Sequence, residues 1–303
     1  MTSPMTANAV PPAVTAALGG SGAELVDQVP TPLTGSTGAA TAAVERLTLR
    51  IRDSAGTVRT HRVVRKTLRP LTSGRHALAS RSADHWAYWR RESLAYASGV
   101  LPTGPGLSAP PVLAVEDDVV YTSEVDGAPE DPWVAARRLG RWQAATPVPN
   151  APWLAQNQLA QRIAVTDLDW EDVDADPRLV DLWGRREEML AELATLPSTV
   201  VHGDYSAGNL RAADADTTVA IDWATFGVGP VGADLASLTL STGVWLLDDY
   251  LAGLGNAFTT ESVRRGYQIA LALTHTSRVH WALSLQRPVD PSLTELVLCR
   301  AAR

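Results

Sequence analysis

The run His202-Gly203-Asp204, with Asn209 five residues and Asp222 eighteen residues beyond the aspartate, constrains this chain more than any other feature. Both aspartates follow β-rich runs, Ser198-Thr199-Val200-Val201 before the first and Thr217-Thr218-Val219-Ala220-Ile221 before the second. Three oxygen-bearing side chains at these intervals suit transfer of a γ-phosphoryl group from a nucleotide. That reaction asks a protein for one carboxylate to orient the attacking hydroxyl and for hard oxygen ligands to hold Mg²⁺ against the phosphates. Asp204 fits the first role, and Asn209 with Asp222 the second. Taken singly, HGD is a turn tripeptide and Asp222 a strand-end carboxylate. The whole set in register points to chemistry.

A second clue is a single lysine. Lysine and arginine together number 26, of which Lys66 is the sole lysine. It ends the strand-like run Arg62-Val63-Val64-Arg65-Lys66. A compact ammonium at that place suits the α- and β-phosphates of a nucleotide, whereas the planar fork of arginine presents its donors differently. Glu92, on the next predicted helix, is the carboxylate that would orient it.

The stretch from Leu196 to Leu235 (LPSTVVHGDYSAGNL…VAIDWATFGVGPVGADL) resembles the aminoglycoside phosphotransferase family, which includes choline-kinase-like and other small-molecule kinases. The resemblance extends from about Leu33 to at least Ala236 and is strongest around the two aspartates. It implies an α+β, protein-kinase-like bilobal fold. A small antiparallel β-rich lobe over residues 1–126, with 1–30 a partly mobile lead-in, would clamp the nucleotide. A larger, mainly helical lobe over 127–303 would carry catalysis and the acceptor site. The same resemblance implies Asp204 as catalytic aspartate, Asn209 and Asp222 as Mg²⁺ ligands, Lys66 as the nucleotide lysine and Glu92 as its partner. Asp234 falls on a later family aspartate and is expected to anchor a helix start. Tyr205-Ser206-Ala207 and Trp223 depart from the family's commoner residues without removing a required group.

Composition excludes other classes. Hydrophobic residues at 45% and charged residues at 19% are those of an ordinary globular protein. The net charge of −7 argues against nucleic-acid binding, which relies on basic patches. Cys299 stands alone, which leaves no intrachain disulfide and fits a reducing compartment. The start has no basic region or apolar core of a signal peptide, and no apolar run nears the ~20 residues of a membrane span. A cytoplasmic protein is expected, with no membrane or nucleic-acid partner.

Along the chain, Glu45 to Asp53 alternates with Leu47, Leu49 and Ile51 on one face, and Ser54-Ala55-Gly56 turns it into a strand over 57–68. A helix is expected over 82–98, strands over 111–115 and 119–125, and helices over 132–145, 153–165, 177–196 and 261–285. Gly35, Ser36 and Gly38 are the candidate phosphate loop, because glycines let backbone N–H groups approach phosphates. No GxxxxGK[ST] run is present. Glu124 and Val125 fall in the segment whose backbone would meet the adenine edge.

Between Asp167 and Glu188 lies an acidic segment. Asp172, Asp174 and Trp170 are its candidate acceptor-binding residues, the alternative being a solvated face. The leading expectation is an ATP- or GTP-dependent O-phosphotransferase acting on a small-molecule hydroxyl, for instance of an aminoglycoside or other antibiotic. A kinase of Ser or Thr in a natural-product peptide and a nucleotide-binding pseudokinase scaffold are the competing readings.

Overall fold

The computed structural model describes residues 9–33, 38, 40–104 and 106–301. The chain opens with helix α1 (Pro12–Gly19), followed by strands β1 (Glu24–Pro32), β2 (Thr41–Arg52) and β3 (Val58–Leu68). Helix α2 (Arg91–Ser98) precedes β4 (Gly106–Ser108), β5 (Val112–Glu116) and β6 (Val119–Ser123). An antiparallel sheet of order β1-β2-β3-β6-β5 results. The β2–β3 turn is fixed by Asp53, whose carboxylate accepts from the amides of Ala55 (3.0 Å) and Thr57 (2.9 Å). Alternation along β2 places Leu47, Leu49 and Ile51 at no more than 1% exposure, in a small core with Val10 and Val14 of the N-terminal helical segment.

The remainder is mainly helical. Strand β7 (Ala128–Pro129) leads to α3 (Pro132–Ala145), β8 (Ala155–Gln156), α4 (Gln158–Ala164), α5 (Pro177–Gly184) and α6 (Arg186–Leu193). Then come β9 (Ser198–Val201), β10 (Leu210–Ala212), β11 (Thr217–Ala220) and β12 (Gly227–Pro230). Helices α7 (Ala233–Thr242), α8 (Leu247–Leu254), α9 (Thr260–Ser284) and α10 (Pro291–Ala301) complete the chain. Helix α3 begins where sequence chemistry demands: Asp131 caps it by accepting from the amides of Trp133 and Val134, and Pro132 occupies the first turn. The main core gathers Leu139 of α3, Trp223 and Phe226, and Tyr267 and Leu271 of α9. Each such buried side chain contributes about 1.5–3 kcal/mol relative to exposure.

The fold is the α+β arrangement expected. Local differences have physical causes. Glu24–Pro32, assigned to the lead-in, forms β1 in register with β2; an edge strand tolerates its two prolines because the N–H groups on its outer side need no partner. The helix expected over 82–98 begins only at Arg91. The carbonyls of Ala83, His85 and Trp86, which a helix would use internally, instead accept from the Arg91 guanidinium. The helix expected over 177–196 is two, broken at Arg185.

Candidate active site

Two strand ends build the site. Strand β9 runs into His202-Gly203-Asp204, and β11 runs into Ile221-Asp222-Trp223. The fully buried ring of His202 joins them. Its Nε2 lies 3.0 Å from the Ile221 carbonyl, and its Nδ1 accepts the Asp204 amide at 3.2 Å. A neutral imidazole protonated at Nε2 satisfies both contacts, and burial holds the ring below its usual range. The Asn209 carbonyl accepts from the Ile221 amide at 2.9 Å, a second tie between the segments.

The loop is held from behind by Asp234 at the start of α7. Its Oδ2 accepts the His202 amide at 2.8 Å and its Oδ1 the Gly203 amide at 2.9 Å. Gln143 of α3 donates to the same Oδ2 at 3.3 Å and to the Val200 carbonyl at 2.8 Å. Burial pushes the Asp234 carboxyl up to about 7, against the pull of the two amides. Gly203 sits at φ +86, and a Cβ there would drive into Thr225. Tyr205 is wholly buried and its hydroxyl donates to the Ala135 carbonyl of α3 at 3.1 Å. The departure at this position therefore ties the loop to α3.

Asp204 and Asn209 meet directly. Asn209 Nδ2 donates to the Asp204 carbonyl at 2.9 Å and to Asp204 Oδ2 at 3.2 Å. The Asn209 oxygen is left without a hydrogen-bond partner among the described residues. Asp222 adopts φ +66, a left-handed conformation that aspartate tolerates better than bulkier residues.

Across from these strand ends, Lys66 of β3 reaches both carboxylates that flank it. Its Nζ lies 2.6 Å from Glu92 Oε2 and 2.8 Å from Asp222 Oδ1. The contact with Glu92 is a close ion pair of poor hydrogen-bond geometry, since that oxygen has no well-aligned donor. Burial opposes the charge on Lys66, and the two carboxylates more than offset it, so its pKa lies above the usual range. Burial raises Glu92, with Lys66 acting the other way. Asp222 is held below its usual range: burial would raise it, but Lys66 outweighs that. The structure thus brings Lys66, Glu92, Asp204, Asn209 and Asp222 to one place.

Asn209 and Asp222 offer hard oxygens, the donors Mg²⁺ accepts together with phosphate oxygens and water. Among the described residues no three His, Cys, Asp or Glu side chains gather into a metal-holding group.

The other expected residues are placed as follows. The Glu124 amide donates to the Arg62 carbonyl at 3.0 Å, and its carboxylate pairs with Arg46. The backbone of Val125 makes no hydrogen bond among the described residues, which leaves it available to a ligand edge. Gly35 and Ser36 lie outside the described residues; Gly38 accepts from the Thr41 amide just before β2. Asp172 and Asp174 are exposed, while Trp170 packs edge-on against His280 of α9 at 4.8 Å. Neither aspartate lines the cavity beside Gly203. Gln143, Gln158 and Thr225 support the loop without having been singled out in sequence.

Comparison with known proteins agrees with this geometry. No curated protein sequence matches the chain. Residues 127–269 match the sequence pattern described as the phosphotransferase enzyme family. Among solved structures, choline kinase LicA from Streptococcus pneumoniae is similar at TM-score 0.52 and 12% identity, covering 92% of each chain. Macrolide 2'-phosphotransferase MphH from Brachybacterium faecium is similar at TM-score 0.50 and 17% identity, covering 89% of this chain and 92% of its own. A choline kinase from Cryptosporidium parvum gives 0.50 and 12%, covering 91% and 87%. The family pattern thus lies across the strand ends that carry the site, and the chain is similar in fold along nearly its whole length to solved phosphotransferases and choline kinases.

Proposed function

We propose that the chain transfers the γ-phosphoryl group of a nucleoside triphosphate to a hydroxyl of a small molecule, with Asp204 orienting that hydroxyl and taking its proton. The acceptor oxygen forms the new bond to the γ-phosphorus, and the bond to the β–γ bridging oxygen breaks, releasing the nucleoside diphosphate. Lys66, steadied by Glu92, meets the α- and β-phosphates. Asn209 and Asp222 hold Mg²⁺, which when bound supplies charge neutralisation on the phosphates. The free backbone groups at Val125 receive the base. His202 and Asp234 keep the loop in place and exchange no proton with substrate.

The observation that carries this reading is the convergence of one ammonium, three carboxylates and an asparagine from segments far apart in sequence. A scaffold that only folds has no need of it, because Lys66, Glu92 and Asp222 are charges withdrawn from water. The test is Asp204→Asn. Nucleoside diphosphate release in the presence of acceptor should fall by about 10²–10⁴-fold, the usual worth of a positioned general base, with MgATP affinity retained. Activity within a few-fold of wild type would overturn the assignment.

A further inference from the structure

Two helices present arginines to the loop that carries Asp204. On α4, Gln158 and Arg162 share a face, and Gln158 donates to the Gly203 carbonyl at 3.2 Å, so that face meets the loop. On α9, Ala270, Thr274 and Arg278 follow one another at helical intervals. A cavity of about 210 Å³ reaches Gly203, with Gln158 and Arg162 on one wall and Ala270 and Thr274 on another. Leu159, Leu190, Leu193 and Val228 make the rest of its lining largely apolar, and the loop anchor Asp234 is the only acidic residue in it.

Several arginines elsewhere are paired with carboxylates, and the buried Arg91 is satisfied by backbone carbonyls. Arg65 pairs with Glu45, Arg138 with Glu130, Arg178 with Asp176 and Glu295, and Arg265 with Glu192. The guanidiniums of Arg162 and Arg278 have neither a hydrogen bond nor an ion pair among the described residues. Arg162 lies over the Trp86 ring, 5.2 Å from its centroid, which fixes its plane without answering its charge. Burial and the neighbouring Arg278 both disfavour its charged form, while Asp204 favours the charge on both arginines. Arg162 lines the apolar cavity, and Arg278, itself exposed, stands one turn beyond the lining residue Thr274 on α9; together they offer donors that a carboxylate or phosphate would complete. An ammonium entering there is repelled.

We propose that the acceptor is an amphipathic hydroxy compound bearing an oxyanion, which Arg162 and Arg278 bind while its apolar part occupies the cavity. That it is an acceptor rests on the phosphotransferase reading; that the site selects anions does not. The exposed acidic segment around Asp172 and Asp174 takes no part in this selection.

A matched set of probes tests it: 3-hydroxyoctanoate, its primary amide, 1-aminooctan-3-ol and the 1-phosphate of octane-1,3-diol. Binding to the full chain is measured by ligand-observed NMR and calorimetry, with MgADP present and absent. At least one anion should bind about tenfold or more tighter than the amide, and the ammonium compound should bind weakest. The stronger of the two anions identifies the source of the oxyanion. In R162Q and R278Q that anion should fall to the affinity of the amide, whereas R162K should keep part of the preference. Equal binding of anion and amide, tightest binding of the ammonium, or no binding of either anion overturns the proposal. So does a loss in R162Q that falls on MgATP instead of on the anion. The phosphotransferase reading is checked separately by MgATP affinity of the wild-type protein, and its failure would leave the charge preference readable.

Discussion

Lys66 Nζ lies 2.8 Å from Asp222 Oδ1 across 156 residues of sequence, and the same ammonium is 2.6 Å from Glu92 Oε2. One charge thereby joins the antiparallel sheet, helix α2 and the strand end that follows β11. Because Lys66 is the cation paired with both carboxylates, it matters to stability as well as to nucleotide binding.

Substitutions at Lys66 should separate charge from shape. K66M removes the counter-charge from the buried Glu92 and the partly exposed Asp222 and should cost about 3 kcal/mol, read as a lower midpoint in urea. K66R keeps the charge and should fold with little loss, yet its wider fork should lower kcat/KM by about 100-fold. Equal activity of K66R and wild type would remove the phosphate-contact role from this side chain.

Asp234 should act as a positioning residue. Its two oxygens accept from two successive amides, at 2.8 and 2.9 Å. Asparagine would turn an N–H₂ toward one of those N–H groups, leaving a buried donor unmet at a cost of about 1–3 kcal/mol. D234N should lower kcat more than it raises the KM for nucleotide, since it releases the loop and leaves Lys66 untouched. A rise in nucleotide KM with kcat unchanged would contradict this.

Arg91 is fully buried, and its guanidinium donates to the carbonyls of Trp153 (2.7 Å), His85 (2.8 Å), Ala83 (3.0 Å) and Trp86. Burial pushes it down to about 10. Lysine has too few donors and no planar fork, so R91K should lose about 3 kcal/mol by thermal or urea unfolding. Because Glu92 is the next residue on α2, nucleotide KM should rise with it. Wild-type stability in R91K would mean that water replaces the missing donors.

His275 on α9 is buried and pushed down to about 4 by burial and by Arg278. Its folded pKa lies below the unfolded value of about 6.5, so the unfolded chain binds the proton first. The group's contribution is therefore intact above about pH 6.5 and lost as pH falls through 4, up to about 3 kcal/mol in all. H275Q should flatten the difference in urea midpoint between pH 7 and 4.5 relative to wild type. Parallel pH profiles for the two proteins would show that the ring titrates normally.

Much of this was legible in the chain. The alternation of Leu47, Leu49 and Ile51 announced β2, because burying one face of a strand requires a period of two. Asp131-Pro132 announced α3, because a capping carboxylate and a proline leave few other options at a helix start. Less legible were segments whose backbone groups are satisfied from a distance. The run before α2 looked helical, but Arg91 claims its carbonyls. Short strands such as β8 and β12 have too few residues to show a period, and exist because they pair with each other and with β9.

Sequence by itself determined which chemistry is available: one lysine, and an asparagine and a second aspartate at set intervals from the first, since these side chains and their spacing are local properties. Tertiary structure alone decided what faces them. The ammonium of Lys66 reaches one strand end from β3, and Arg162 of α4 lines the cavity beside Gly203 at the other. Electrostatic complementarity depends on distance through space, which spacing along the chain does not encode.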